Sequence, residues 1–266
     1  NTLAVDKINI QVFNTDIRAN LDKIILQKIS IKPSKGGEVT GVGTVGINLL
    51  KFIKNQKPIE WQKMPLSLSF QAKLPTEKLI TPYYFPPQNV SLSAIAATGK
   101  ISGTLGKAIT EIKWNTEKPA SVAQIAVSGK GEIVTFNQDI LLRNTVLKTN
   151  EGKLLVDANG NFGRNQWQGN IKANQLILSP FIRSFCEQQI IQNCPTAFKT
   201  RPLIVTNANL NLRGQFDRFE PERWQGGGNI AIQGKTETVA LRGNLNQGNI
   251  QADILARNLP LNPYVA

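Results

Sequence analysis

The chain has no histidine, one methionine and two cysteines in 266 residues. The missing histidine removes the usual general base near neutral pH and the usual metal ligand. Most hydrolase and metalloenzyme readings lose their central residue, so the chain reads as a non-enzyme with no cofactor and no metal site. Aromatic residues make up only 7% of the sequence. A wide dry core normally draws on more of them. No run of about 18 apolar residues occurs, so nothing reads as a membrane-spanning helix. Asn1-Thr-Leu-Ala-Val lacks the basic and apolar regions of a signal peptide. Acidic residues are also few, 18 against 31 basic, giving a net charge of +13. Nucleic acid binding calls for basic side chains clustered with stacking aromatics. Here Lys172, Arg213 and Arg242 stand singly on polar strand positions, so the charge reads as a solvated face, with anionic lipid head groups as the functional alternative.

What the chain does have is period-two alternation. Around Gly160–Phe181, Trp167, Gly169, Ile171 and Ala173 alternate with Gln168, Asn170 and Lys172, the pattern of a half-buried strand. Leu176 and Leu178 continue the apolar wall, and Ser179-Pro180 stops it. Near the C-terminus, Gln247-Gly-Asn-Ile-Gln-Ala252 repeats Gln168-Gly-Asn-Ile-Lys-Ala173, and Leu259-Pro-Leu-Asn-Pro-Tyr264 repeats Leu176-Ile-Leu-Ser-Pro-Phe181. A fainter copy runs from Phe70-Gln-Ala-Lys-Leu-Pro75 to Pro82-Tyr83. The tryptophans, Trp61, Trp114, Trp167 and Trp224, are spaced by 53, 53 and 57 residues. Self-similarity at such intervals points to an extended array. It suggests three segments: 1–89, 90–202 with a cysteine-containing helical loop, and 203–266, cut short within a repeat as an internal piece of a longer chain would be.

Alternation also marks Ile24 with Leu26, Ile29 with Ile31, the glycine-lightened run Val39 to Leu49, Leu66 to Leu74, and Ala208 to Phe216. Gly41-Val-Gly-Thr-Val-Gly46 superficially matches a nucleotide-binding fingerprint, but neither a helix nor a suitably placed acid follows it. Asp217, Glu220 and Glu222 are the one acidic cluster. With Arg218 and Arg223 beside them they read as a charge-balanced turn, not as a glycosidase pair. Thr76–Asn89 and Pro180–Pro202 interrupt the strands at equivalent places and carry the aromatic groups Tyr83–Phe85 and Phe181 with Phe185. Both are expected to project from the sheet or lie over its opening.

Cys186 and Cys194 fall in the second interruption. Ser179 is a good N-cap and Pro180 a good first helical residue. A continuous helix would hold the cysteines about 12 Å apart, too far for a disulfide. Two unrelated buried thiols are one reading. A disulfide after a helix that ends near Ile191 is the other, and the expected one, because an isolated pair in a β-rich chain suits an oxidising compartment.

On the order of 18 to 20 one-sided strands, at about 4.8 Å each, would make one sheet roughly 90 Å long. Its apolar face must be covered, either by folding into a sandwich or by curling into a trough that accepts something else. The shortage of aromatics favours the trough. The repeated Gly-Asn-Phe…Trp-Gln-Gly-Asn-Ile-Lys-Ala…Leu-Ile-Leu pattern, over Gly99–Tyr264 above all, resembles the TamB family of the AsmA-like group, including cyanobacterial and plastid relatives. That resemblance implies an all-β fold, an elongated curled antiparallel or mixed sheet (a β-taco) with an apolar inner groove, to which the residues themselves add one or two short helical insertions. It implies a periplasmic location in a diderm bacterium, an inner-membrane anchor elsewhere in the full protein, and an Omp85-type outer-membrane barrel as partner of other parts of that protein. It also implies conduction of phospholipid or glycolipid acyl chains between membranes. The rivals are a tether or chaperone assisting barrel assembly, and a β-solenoid enzyme or adhesin acting on polysaccharide. The face expected to carry lipid comprises Leu154, Val156, Phe162, Ile171, Leu176, Leu178, Leu210, Leu212, Ile230, Ile232, Leu241, Leu245 and Ile250.

Overall fold

The computed structural model describes residues 3–5, 8–47, 53–54, 58, 60–75, 77–78, 90–122, 125–187, 203–217 and 223–258. Eighteen strands run through them in chain order. These are β1 (Leu3–Val5), β2 (Ile8–Ala19), β3 (Lys23–Pro33), β4 (Glu38–Gly46), β5 (Pro65–Leu74), β6 (Val90–Ser91), β7 (Ile95–Thr104), β8 (Lys107–Thr116) and β9 (Ala120–Val122). There follow β10 (Ile125–Phe136), β11 (Asp139–Thr149), β12 (Gly152–Asn161), β13 (Gln166–Asn174), β14 (Leu176–Ile177), β15 (Ile204–Gly214), β16 (Gln225–Gln233), β17 (Thr238–Asn246) and β18 (Asn249–Arg257). One helix of nine residues, α1 (Ser179–Glu187), follows β14. The fold is all-β and antiparallel.

The chain forms two compact units. One holds Asn1–Pro87, Ser91–Lys118 and Gly131–Ile140, and the other Gln88–Val90, Pro119–Lys130 and Leu141–Ala266. The first unit is a meander in which β2 pairs with β3, β3 with β4, β4 with β5, β5 with β7 and β7 with β8. Directly opposed residues share a face, so the register can be read straight across the strands. Ile29, Gly41, Phe70, Gly99 and Ile112 form one row, and Leu26, Gly43, Leu68 and Ile101 the next. Ser30, Thr40, Gln71, Thr98 and Lys113 fall on the other face.

The apolar residues do not keep one parity along each strand. Ile24 and Leu26 are even-numbered, whereas Ile29 and Ile31 are odd, and the β3–β4 register shifts between Leu26 and Ile29. A bulge supplies the one extra residue that returns the second pair to the same face.

Glycine has a specific role beside the aromatics. The Phe70 ring lies across the neighbouring strand at Gly99, where any Cβ would overlap it. Trp167 occupies Gly214 and Phe216 occupies Gly160 in the same manner. Each ring fills the gap left by a missing side chain, which pins register and preserves ring packing.

Gly99→Ala should therefore destabilise the protein by about 1–3 kcal/mol through overpacking. At Gly169 a Cβ would stand 3.5 Å from the Ala158 Cβ, an ordinary contact, and Gly169→Ala should stay within about 0.5 kcal/mol of the parent. Urea unfolding midpoints compare the two. An equal or larger loss at Gly169 contradicts the ring-over-glycine account.

Candidate functional site: the apolar face of the second unit

In the second unit β12 pairs with β13, β13 with β15, β15 with β16, β16 with β17 and β17 with β18. Their registers align three apolar rows across all six strands. Leu154, Ala173, Ala208, Ile230, Leu241 and Ile254 form the first, and Val156, Ile171, Leu210, Gly228, Gly243 and Ala252 the second. Ala158, Gly169, Leu212, Gly226, Leu245 and Ile250 form the third. Leu176, opposite Val205, and Ile232, opposite Val205 and Val239, extend the face toward α1. Lys172, Arg213 and Arg242 lie on the reverse face and are exposed.

Two irregularities hold this face together. Between Ala173 and Leu176 the apolar pattern changes from odd to even, and Gln175 turns the chain through a positive φ of 54°. On the paired strand the same change falls between Val205 and Ala208, where the register shifts between Val205 and Asn207. The two breaks are matched, so Ala173, Leu176, Val205 and Ala208 meet in one buried cluster.

Coverage of the face is graded. At the cluster, Leu154, Leu178, Phe181, Ile230 and Ile232 pack on and bury their neighbours, Phe181 reaching in from α1. Leu176 retains 7% exposure, whereas Ile250, on β18, retains 77%. Leu210, Leu212, Leu241 and Leu245 between them are half-buried, and no large side chain among the described residues is fully buried. Over β17 and β18 the middle row holds only Gly243 and Ala252, between Leu241 and Ile254 on one side and Leu245 and Ile250 on the other. With about 3.4 Å per residue along a strand, this makes a shallow apolar slot floored by small residues. Phe162, just beyond β12, stands apart from the rows. It is exposed and stacks on Phe216, with ring centroids 4.8 Å apart, and Trp167 meets Trp224 edge-on at 5.3 Å.

The helix starts differently from its sequence signal. Ile182 N–H donates to Leu178 O at 3.0 Å, so Ser179 already lies in the first turn. Its Oγ accepts from Leu203 N–H at 2.6 Å and ties α1 to the start of β15. Cys186 is disulfide-bonded. The only other cysteine in the sequence, Cys194, lies outside the described residues, as do Tyr83–Phe85, Glu220, Glu222 and the side chain of Phe185.

The reverse face was less foreseeable. Asn170 Nδ2 donates to Asn209 Oδ1 at 2.7 Å and to Asn211 Oδ1 at 2.8 Å, a cross-strand amide link that no sequence periodicity announces. Arg213 Nε donates to Gln225 Oε1 at 3.2 Å.

The graded coverage sets a stability contrast. Leu176→Ala should cost about 2–4 kcal/mol, because it opens a cavity in the buried cluster. Ile250→Ala should cost less than about 0.5 kcal/mol. Thermal or urea unfolding of the two variants checks this, and similar losses would mean that β18 is covered in solution.

The chain matches no protein-family model, no curated protein and no solved structure.

Proposed function

We propose that the apolar face of the second unit shields the acyl chains of a phospholipid or glycolipid, and that the protein is a non-enzymatic conduit in a bacterial envelope. The observation that carries this reading is the slot over Gly243 and Ala252, continuous with apolar rows that cross six strands and include half-buried leucines on β12, β15 and β17. An acyl chain gains free energy wherever apolar surface replaces water, at about 25 cal/mol per Å². Movement along the slot would need no catalytic group, only an even apolar path. The motifs that resemble the TamB family agree with this role, with the periplasm as location and an Omp85-type barrel as partner of the full protein.

A second reading, strand-binding chaperone activity, has one observation in its favour. The only register described for β18 is with β17, and Ile254 and Leu255 on β18 are 68% and 59% exposed. An edge of this kind can accept an added client strand.

Photo-crosslinking side chains at Leu212 and Arg213, which are neighbours on opposite faces, separate these readings. Lipid adducts at 212 and not at 213 are expected. Equal labelling at both, or none at either, rejects the conduit. Leu212→Asp should leave a folded protein that no longer retains lipid, because a carboxylate in an acyl path costs more to desolvate than the roughly 2–7 kcal/mol of a neutral polar group. Circular dichroism and mass spectrometry of co-purified lipid read the two halves of that outcome.

A further inference from the structure

The reverse, polar face of the second unit is more than a solvated exterior. It carries three open depressions of about 930, 820 and 360 Å³. The first two share Asn211, Gly227 and Asn244, and the first and third share Asn229, so they form one continuous surface. We infer that this surface binds an acidic polysaccharide.

Three features select that ligand. Charge comes first: among the described residues five basic side chains line the depressions, against Asp157 and Asp253. Among the described residues Lys172 and Arg242 form no ion pair, although Asp253 stands opposite Arg242 across the ladder. Left in this way, the Arg242 guanidinium suits a carboxylate, which it can grip with two parallel hydrogen bonds, and the Lys172 ammonium adds a point charge. Amides come second. Asn211 and Asn244 lie in one row, while Asn209 and Asn229 lie in the next. Each amide offers two donors and an acceptor, and the rows advance about 4.8 Å per strand. This lattice matches a chain of hydroxyl and ring oxygens. Third, no aromatic residue among the described residues lines any of the three depressions, which removes the stacking platform that single-stranded nucleic acid uses.

The probe is a polygalacturonate oligomer, titrated calorimetrically into the whole chain at about 0.15 M salt to screen loose attraction. Dextran and oligo-dT fragments of similar length are the comparisons. Polygalacturonate should bind, dextran should not, and oligo-dT should bind at least about tenfold more weakly. Arg213→Gln with Arg242→Gln should weaken polygalacturonate binding about tenfold or more. Lys235→Gln with Arg257→Gln removes the same charge from exposed positions outside the depressions, and should change it less than about twofold. Asn211→Ala with Asn244→Ala should weaken binding without changing charge. All these side chains are exposed, so the variants should fold, which circular dichroism checks. Absence of polygalacturonate binding, equal losses from both charge pairs, or oligo-dT binding as tight as polygalacturonate would overturn the inference.

Discussion

In a sheet whose side chains alternate with period two, a slip of one residue turns every leucine of a strand from one face to the other, and this structure guards its register accordingly. Aromatic rings are seated over glycines at Phe70–Gly99, Trp167–Gly214 and Phe216–Gly160, so a slipped strand would set each ring against a side chain. Tight connections in left-handed conformations, such as Gln247 (φ 48°) with Gly248 (φ 82°), fix where each hairpin begins. Paired irregularities at Gln175 and between Val205 and Asn207 let adjacent strands change parity together. The apolar face of the second unit is the product of these devices.

The alternation that sets this face is written plainly in the sequence. Leu154, Val156, Ile171, Leu210, Leu212, Ile230, Ile232, Leu241, Leu245 and Ile250 can be assigned to one side by counting in twos. Parity changes are not legible in that way, because a bulge is a backbone event and Gln175 carries no mark of its positive φ. The repeat also misleads on one point. Gln168-Gly169 lies within β13, whereas its copy Gln247-Gly248 forms the turn before β18. Both copies still deliver Ile171 and Ile250, with Ala173 and Ala252, to the same face. Similarity there tracks side-chain direction more faithfully than strand boundaries. Ser179 shows the limit of a local signal, since its hydroxyl accepts from Leu203 N–H, 24 residues away, a long-range tie that the Ser-Pro pair does not announce.

The two faces of the second unit solve different problems. On the apolar side the aliphatic rows shield one another only partly, and the buried cluster of Ala173, Leu176, Val205 and Ala208 forms where Phe181 of α1 packs on it. On the polar side the amides are exposed or half-buried, and any neighbour-to-neighbour hydrogen bond there competes with water. Its net contribution is therefore about 1 kcal/mol or less. Asn170, which serves Asn209 and Asn211 together, orders the surface more than it stabilises the sheet.

The meander of paired neighbours also bears on how such a chain can change. Away from the cluster beneath α1, a strand of the second unit is held mainly by the strands on either side, so stability there approximates a sum of nearest-neighbour terms. A substitution on β17 is felt by β16 and β18, and little farther. Lengthening such a ladder by a hairpin requires a compatible edge but no repacking of a distant interior. A protein built on this plan can vary its reach by duplication while the chemistry of each face stays as it was.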